Sequence, residues 1–127
     1  MKRCLIVDDS RVVRKVARRI IEDLDFTAEE AADGSEALEA CRANMPDAVL
    51  LDWNMPVMNG IDCLKALRRA DIFIPVVAVT AASRKGLRES LLEQGFDNVI
   101  AKPIDREALS EILSQYLHTT PTQQALA

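Results

Sequence analysis

Two periodicities alternate along this chain, and their alternation restricts the fold more than any other feature. Short β-branched runs without helical period occur at Arg3 to Val7, Thr27 to Ala31, Ala48 to Asp52, Pro75 to Thr80 and Asn98 to Ala101. Between them lie longer segments whose apolar residues recur every three or four positions. Apart from Thr27 to Ala31, the short runs are apolar enough to be covered on both faces, as parallel strands flanked by helices are. Strand and helix repeated in this way need right-handed crossovers and predict an α/β fold, (βα)5, a doubly wound five-stranded parallel sheet. The ligand site of such a sheet lies beyond the carboxyl ends of its strands, where the winding changes direction.

The periodic segments carry their own boundaries. Val12, Val13, Val16, Ala17, Ile20, Ile21 and Leu24 form an apolar stripe, with Arg11, Arg14, Lys15, Arg18 and Arg19 on the remaining, solvated surface. Asp33 followed by Glu36 predicts a capping box that opens a second helix, which runs to about Asn44 before Pro46. A third helix is expected from about Ile61 to Ala70, and a fourth from about Ser83 to Gln94 with Gly95 as its C-terminal cap. Asp105 can cap the last helix, whose Leu109, Ile112, Leu113, Tyr116 and Leu117 make another core stripe.

A chain of 127 residues suits one core rather than two. The expectation is a single domain over 1–118, a short polar tail over 119–127, and no attached output domain. A net charge of -4 gives no general attraction to nucleic acid or anionic membrane, although the first twenty residues carry seven Lys/Arg against two Asp. No apolar run approaches the roughly 20 residues of a membrane span, and Met1-Lys2-Arg3 leads directly into a strand rather than a secretory segment. A soluble, cytoplasmic monomer is therefore expected. Cys4, Cys41 and Cys63 show no metal or redox spacing and read as reduced, packed thiols.

The strand ends carry the chemistry. Asp8 and Asp9 follow the first run, Asp52 and Thr80 end the third and fourth, and Lys102 follows the fifth. Carboxylates 4 Å apart repel by about 4 kcal/mol per pair at an effective dielectric near 20, so a cation must compensate them. Carboxylate oxygens with room for water suit Mg²⁺, and no His or Cys cluster competes for zinc. A carboxylate beside Mg²⁺ and a lysine can attack phosphorus to form an aspartyl phosphate. Asp52 stands alone on the central strand and is the expected nucleophile, while the adjacent Asp8 and Asp9 are better placed to hold metal.

Together VDDS at 7–10, DWNMPVMNG at 52–60, VTA at 79–81 and KP at 102–103 resemble the receiver domain of bacterial response regulators, over roughly residues 3–117. The resemblance implies a flavodoxin- and CheY-like sheet of strand order 2-1-3-4-5. It implies that Asp52 accepts phosphate from a sensor histidine kinase, a histidine phosphotransfer protein or a small phosphodonor. Asp9, Asp52 and the carbonyl of Asn54 would bind Mg²⁺, with Asp8 on the ion or on its water. Thr80 and Lys102 would sense the phosphate, Lys102-Pro103 would be cis, and Gly60 would permit the turn into the third helix. Trp53 is expected to half-cover the pocket. The downstream partner implied is a protein, with catalysis limited to phosphorylation and dephosphorylation of the chain itself. Receivers commonly carry Phe or Tyr three residues before the lysine, whereas this chain has Val99. A smaller or different rearrangement around the fourth helix is therefore expected.

A second reading is a Mg²⁺-dependent phosphohydrolase with an aspartyl nucleophile. Enzymes resembling haloacid dehalogenases place a second Asp two residues after the nucleophile, where this chain has Asn54. A flavodoxin-like carrier is disfavoured because VDDSR would repel the phosphate that such a loop must cradle. His118, the only histidine, reads as a solvated residue at a helix end.

Overall fold

Each apolar run forms a strand and each periodic segment a helix, in the order β1 (Arg3–Val7), α1 (Arg11–Asp23), β2 (Thr27–Ala31), α2 (Gly34–Ala43), β3 (Ala48–Asp52), α3 (Gly60–Arg69), β4 (Val76–Thr80), α4 (Leu87–Glu93), β5 (Asn98–Ala101) and α5 (Arg106–Tyr116). The computed structural model describes residues 2–53, 55, 59–81 and 85–117. All strands are parallel, as the sequence pattern predicts, in the order β2-β1-β3-β4-β5 that the resemblance implies.

Strand alternation divides the apolar side chains between two cores. Leu5, Val7, Val49, Leu51, Val76 and Ala78 pack with Cys41 of α2, Leu64 and Leu67 of α3, and Leu91 of α4. Cys4, Ile6, Leu50, Val77, Val79 and Ile100 face the other way, onto Ala17 and Ile21 of α1 and Leu109 and Leu113 of α5. β3 and β4 are buried at every residue, whereas β2, at the edge, is buried only at Ala28 and Ala31. That edge position is why Thr27 to Ala31 has the weakest apolar pattern. All three cysteines are buried and free, and burial pushes the Cys4 and Cys63 thiols up to about 12. They are packing residues.

Four helices have side-chain caps. Ser10 accepts from the amide of Val13, Asp33 from Glu36, Asn59 from Asp62 and Asp105 from Ala108. Glu36 reaches back in turn, accepting from the amide of Ala32, one residue before the cap, rather than from the Asp33 amide of a regular capping box. At the other ends Gly95, with φ 113°, follows α4 as expected, and Asp25 and Asp71 take the same left-handed role after α1 and α3 at φ 68° and 61°.

The fourth helix differs from expectation. It begins at Leu87 rather than near Ser83, because Gly86 sits at φ 85° and a left-handed residue cannot continue an α-helix. Residues 82–84 lie outside the described residues, as do His118 and the tail. β4 starts at Val76, one residue later than expected, although the Pro75 carbonyl still accepts from the Val49 amide at 2.9 Å.

Gly60 matters for close approach rather than for a special turn. It is the first residue of α3, its amide donates to the Trp53 carbonyl at 2.8 Å, and a Cβ there would lie 2.7 Å from the Trp53 Cα and 2.9 Å from the Asp52 carbonyl oxygen. The atoms in the way are backbone and cannot rotate aside. Gly60→Ala should therefore lower stability by about 1–3 kcal/mol, read as a lower thermal midpoint.

Candidate functional site

The parallel register brings the predicted residues to one edge of the sheet. Asp8 follows β1 and is 2% exposed; Asp52 and Thr80 end β3 and β4 at 3% and 4%. Asp9 beside them is exposed, and Lys102 follows β5 and is partly buried. Each of Asp8, Asp9 and Asp52 offers a carboxylate oxygen, and these oxygens lie within 4.8 Å of one another. The Lys102 ammonium stands 3.1 Å from Asp8 Oδ2 and 3.4 Å from Asp52 Oδ1. Burial works against its charge, but the hydrogen bond to Asp8 and the nearby Asp52 outweigh it and raise the Lys102 pKa above the ordinary lysine value.

Backbone bonds hold these groups in place. The Asp8 amide donates to the Ala31 carbonyl at 3.1 Å, the Trp53 amide to Val79 at 2.9 Å, and the Lys102 amide to Thr80 at 2.8 Å. Asp8 Oδ1 accepts from the Ser10 amide at 2.8 Å, which joins the carboxylate to the cap of α1. The Lys102-Pro103 bond is cis, as the resemblance implied.

The donor set fits a small hard cation. An octahedral Mg²⁺ with ligands at about 2.0–2.1 Å spans roughly 4 Å between opposite oxygens, comparable to the spread of these carboxylates. Asp8, Asp9 and Asp52 could hold it with water completing the shell. The Asn54 carbonyl, the remaining expected ligand, lies outside the described residues.

Trp53, expected to half-cover the pocket, is half-buried and packs against the core cluster that contains Met55, Cys63 and Leu64, and its indole N–H is buried with no partner among the described residues. The α1 surface also differs from a uniformly solvated face. Arg14 Nε donates to Glu30 of β2 at 3.1 Å, Lys15 and Arg18 reach the same carboxylate at 2.9 and 2.8 Å, and Arg14 Nη1 donates to the Asp8 carbonyl at 2.7 Å. The sequence signal was an acidic residue on a weakly apolar strand following a helix with cations at 14, 15 and 18.

The architecture and the acidic edge define a doubly wound α/β protein with three carboxylates and a lysine gathered at the carboxyl ends of its strands. Residues 4–114 match the response regulator receiver domain model, and the chain belongs to that family. It is 37% identical over 113 residues to response regulator MprA of Mycobacterium ulcerans and to transcriptional regulatory protein PrrA of Mycobacterium tuberculosis, in both cases over 89% of this chain and 47% of the relative. The chain thus spans about half the length of these curated relatives. Among solved structures, Vibrio cholerae chemotaxis protein CheY4 is similar at 30% identity and TM-score 0.84, over 91% of this chain and 98% of that one. Proteins of this family receive phosphate from histidine kinases, and receiver domains are generally Mg²⁺-dependent. No described helix is long and apolar enough to cross a membrane.

The Glu30 cluster has a pH signature. Burial alone would raise the Glu30 pKa, but hydrogen bonds from Lys15, Arg18 and Arg14 bring it down from 4.5 to about 2. A depressed carboxylate stabilises the fold above its unfolded value, and that contribution disappears as pH falls from 4.5 toward 2. Glu30→Gln should cost about 1 kcal/mol at neutral pH, a figure kept small by solvent at the edge strand, and should flatten stability across that acid window in denaturant titrations.

Proposed function

We propose that the chain is a phosphorylation switch in which Asp52 accepts a phosphoryl group from a phosphohistidine or a small phosphodonor. The single observation that carries this reading is the approach of Lys102 to both Asp8 and Asp52 beside a third carboxylate, at the ends of separate strands. A nucleophile held by β3 and a cation held just after β5 are presented from a rigid sheet, so little ordering remains for the reaction.

An Asp52 carboxylate oxygen would attack phosphorus as the bond to the donor's imidazole nitrogen breaks, with the imidazole retaining the electron pair. Lys102 would turn from the carboxylates toward a phosphoryl oxygen, and the Thr80 hydroxyl would donate to another. Mg²⁺ held by Asp8, Asp9, Asp52 and the Asn54 carbonyl would supply charge neutralisation at the transferring group. Asp52 would be the only group turned over, through formation and loss of its own acyl phosphate.

The signal would leave as a changed protein surface. Val99 is small and half-buried, and the groove beside it is lined by Arg88, Ile112 and Gln115. With no ring to swing inward, phosphorylation should move Thr80 and the segment after it while displacing α4 only slightly. A large displacement of α4 in NMR spectra of the phosphorylated protein would overturn that expectation. A free-standing switch and one coupled to a further domain both have similar proteins, since the chain covers 98% of CheY4 but 47% of MprA. An immunoblot showing a cellular product about twice this length would favour the coupled form.

Incubation with Mg²⁺ and acetyl phosphate should add one phosphoryl mass to the wild type and none to Asp52→Asn, with EDTA suppressing the reaction. An unmodified wild type, or equal modification of the variant, would remove the mechanism. Sustained turnover of phosphate esters would favour the phosphohydrolase.

A further inference from the structure

Arg14 and Glu30 stand outside the acidic pocket, yet one of their bonds enters it. The Arg14 guanidinium forks, with Nε donating to Glu30 Oε1 at 3.1 Å and Nη1 to the Asp8 main-chain oxygen at 2.7 Å. That oxygen belongs to the planar peptide unit joining Asp8 to Asp9, so holding it sets the plane from which the Asp9 side of the pair departs. Glu30 is well anchored itself: its side chain is only 13% exposed and is also held by Lys15 and Arg18. The fork therefore has one arm on a fixed carboxylate and the other on the pocket backbone. Among the described residues, Asp8 is held through its amide by Ala31, through its carboxylate by Ser10 and Lys102, and through its carbonyl by Arg14.

We propose that Arg14, anchored by Glu30, is a positioning residue for the pocket: it orients the Asp8–Asp9 peptide so that both carboxylates face the site of a divalent cation beside Asp52. The inference rests on the receiver reading of that pocket. It concerns the planar, two-armed geometry of arginine rather than its charge alone, because a lysine carries its charge at a single point. Groups that orient metal ligands without touching the metal commonly matter by about 10–100-fold in affinity. Arg18 supplies an internal control: it binds the same Glu30 carboxylate, but its other partner is Glu22, away from the pocket.

The test uses the full chain as wild type, Arg14→Lys, Glu30→Gln and Arg18→Ala. Mg²⁺ alone is titrated by calorimetry, and metal-free samples are followed by thermal melting and by the NMR shift and hydrogen exchange of the Asp9 amide, which lies in the held peptide. Arg14→Lys should weaken Mg²⁺ binding by about tenfold and perturb the Asp9 amide. Glu30→Gln should do both to a lesser degree, and Arg18→Ala should lower the melting temperature while doing neither. Wild-type Mg²⁺ affinity and an unchanged Asp9 amide in Arg14→Lys would overturn the proposal whatever its melting temperature. Equal weakening by Arg18→Ala would overturn it too, reducing the cluster to a clamp between helix and strand. A wild type that binds no Mg²⁺ would remove the receiver reading of the pocket instead, and the metal-free Asp9 amide would then decide the role of Arg14.

Discussion

The molecule depends on charge compensation at the carboxyl edge of its sheet. Asp8 and Asp52 are almost fully buried, and a pair of such carboxylates at close range costs about 4 kcal/mol under moderate screening. Lys102 approaches both, at 3.1 and 3.4 Å, and bears the positive charge that makes their shared burial tolerable. The arrangement is strong enough that Lys102 keeps a raised pKa despite the cost of burying it. In the proposed switch a cation and a phosphoryl group entering this pocket would compete for charges that already answer one another, and that competition would couple occupancy to side-chain movement.

The scaffold keeps those charges apart by fixed amounts. β3 and β4 are buried at every residue, so Asp52 and Thr80 extend from the least deformable part of the sheet. α3 begins so close to the end of β3 that only glycine fits at position 60. Lys102 is tied to the neighbouring strand through its amide and the Thr80 carbonyl, which gives the ammonium and the hydroxyl a common backbone link. On the far side, the α1 cations pull β2 and the Asp8 carbonyl toward one helix. The pocket is consequently supported from both edges of the sheet, by backbone bonds on one side and an ionic cluster on the other.

Features governed by neighbours in the chain were legible from the residues. Apolar runs marked strands, Asp33 with Glu36 marked a helix start, and Gly95 marked a helix end, because strand burial and capping are local. α4 was misread at its start because a three- and four-residue apolar spacing says nothing about φ, and Gly86 adopts a left-handed angle that ends the helix there. Asn59 was not singled out as a cap, although its side chain accepts from the Asp62 amide. Trp53 was expected to half-cover the pocket, and its packing against Met55, Cys63 and Leu64 joins residues on separate segments that no local pattern brings together.

The sequence by itself determined the alternating architecture, the two-sided burial of the central strands and the acidic and basic residues at the strand ends, since periodicity and residue type suffice for each. Only the tertiary structure decided which of those charges meet. The contacts of Lys102 with Asp8 and Asp52, and of Arg14 with both Glu30 and the Asp8 carbonyl, join residues on different elements. Their distances follow from strand order, register and helix placement, quantities that no local pattern contains.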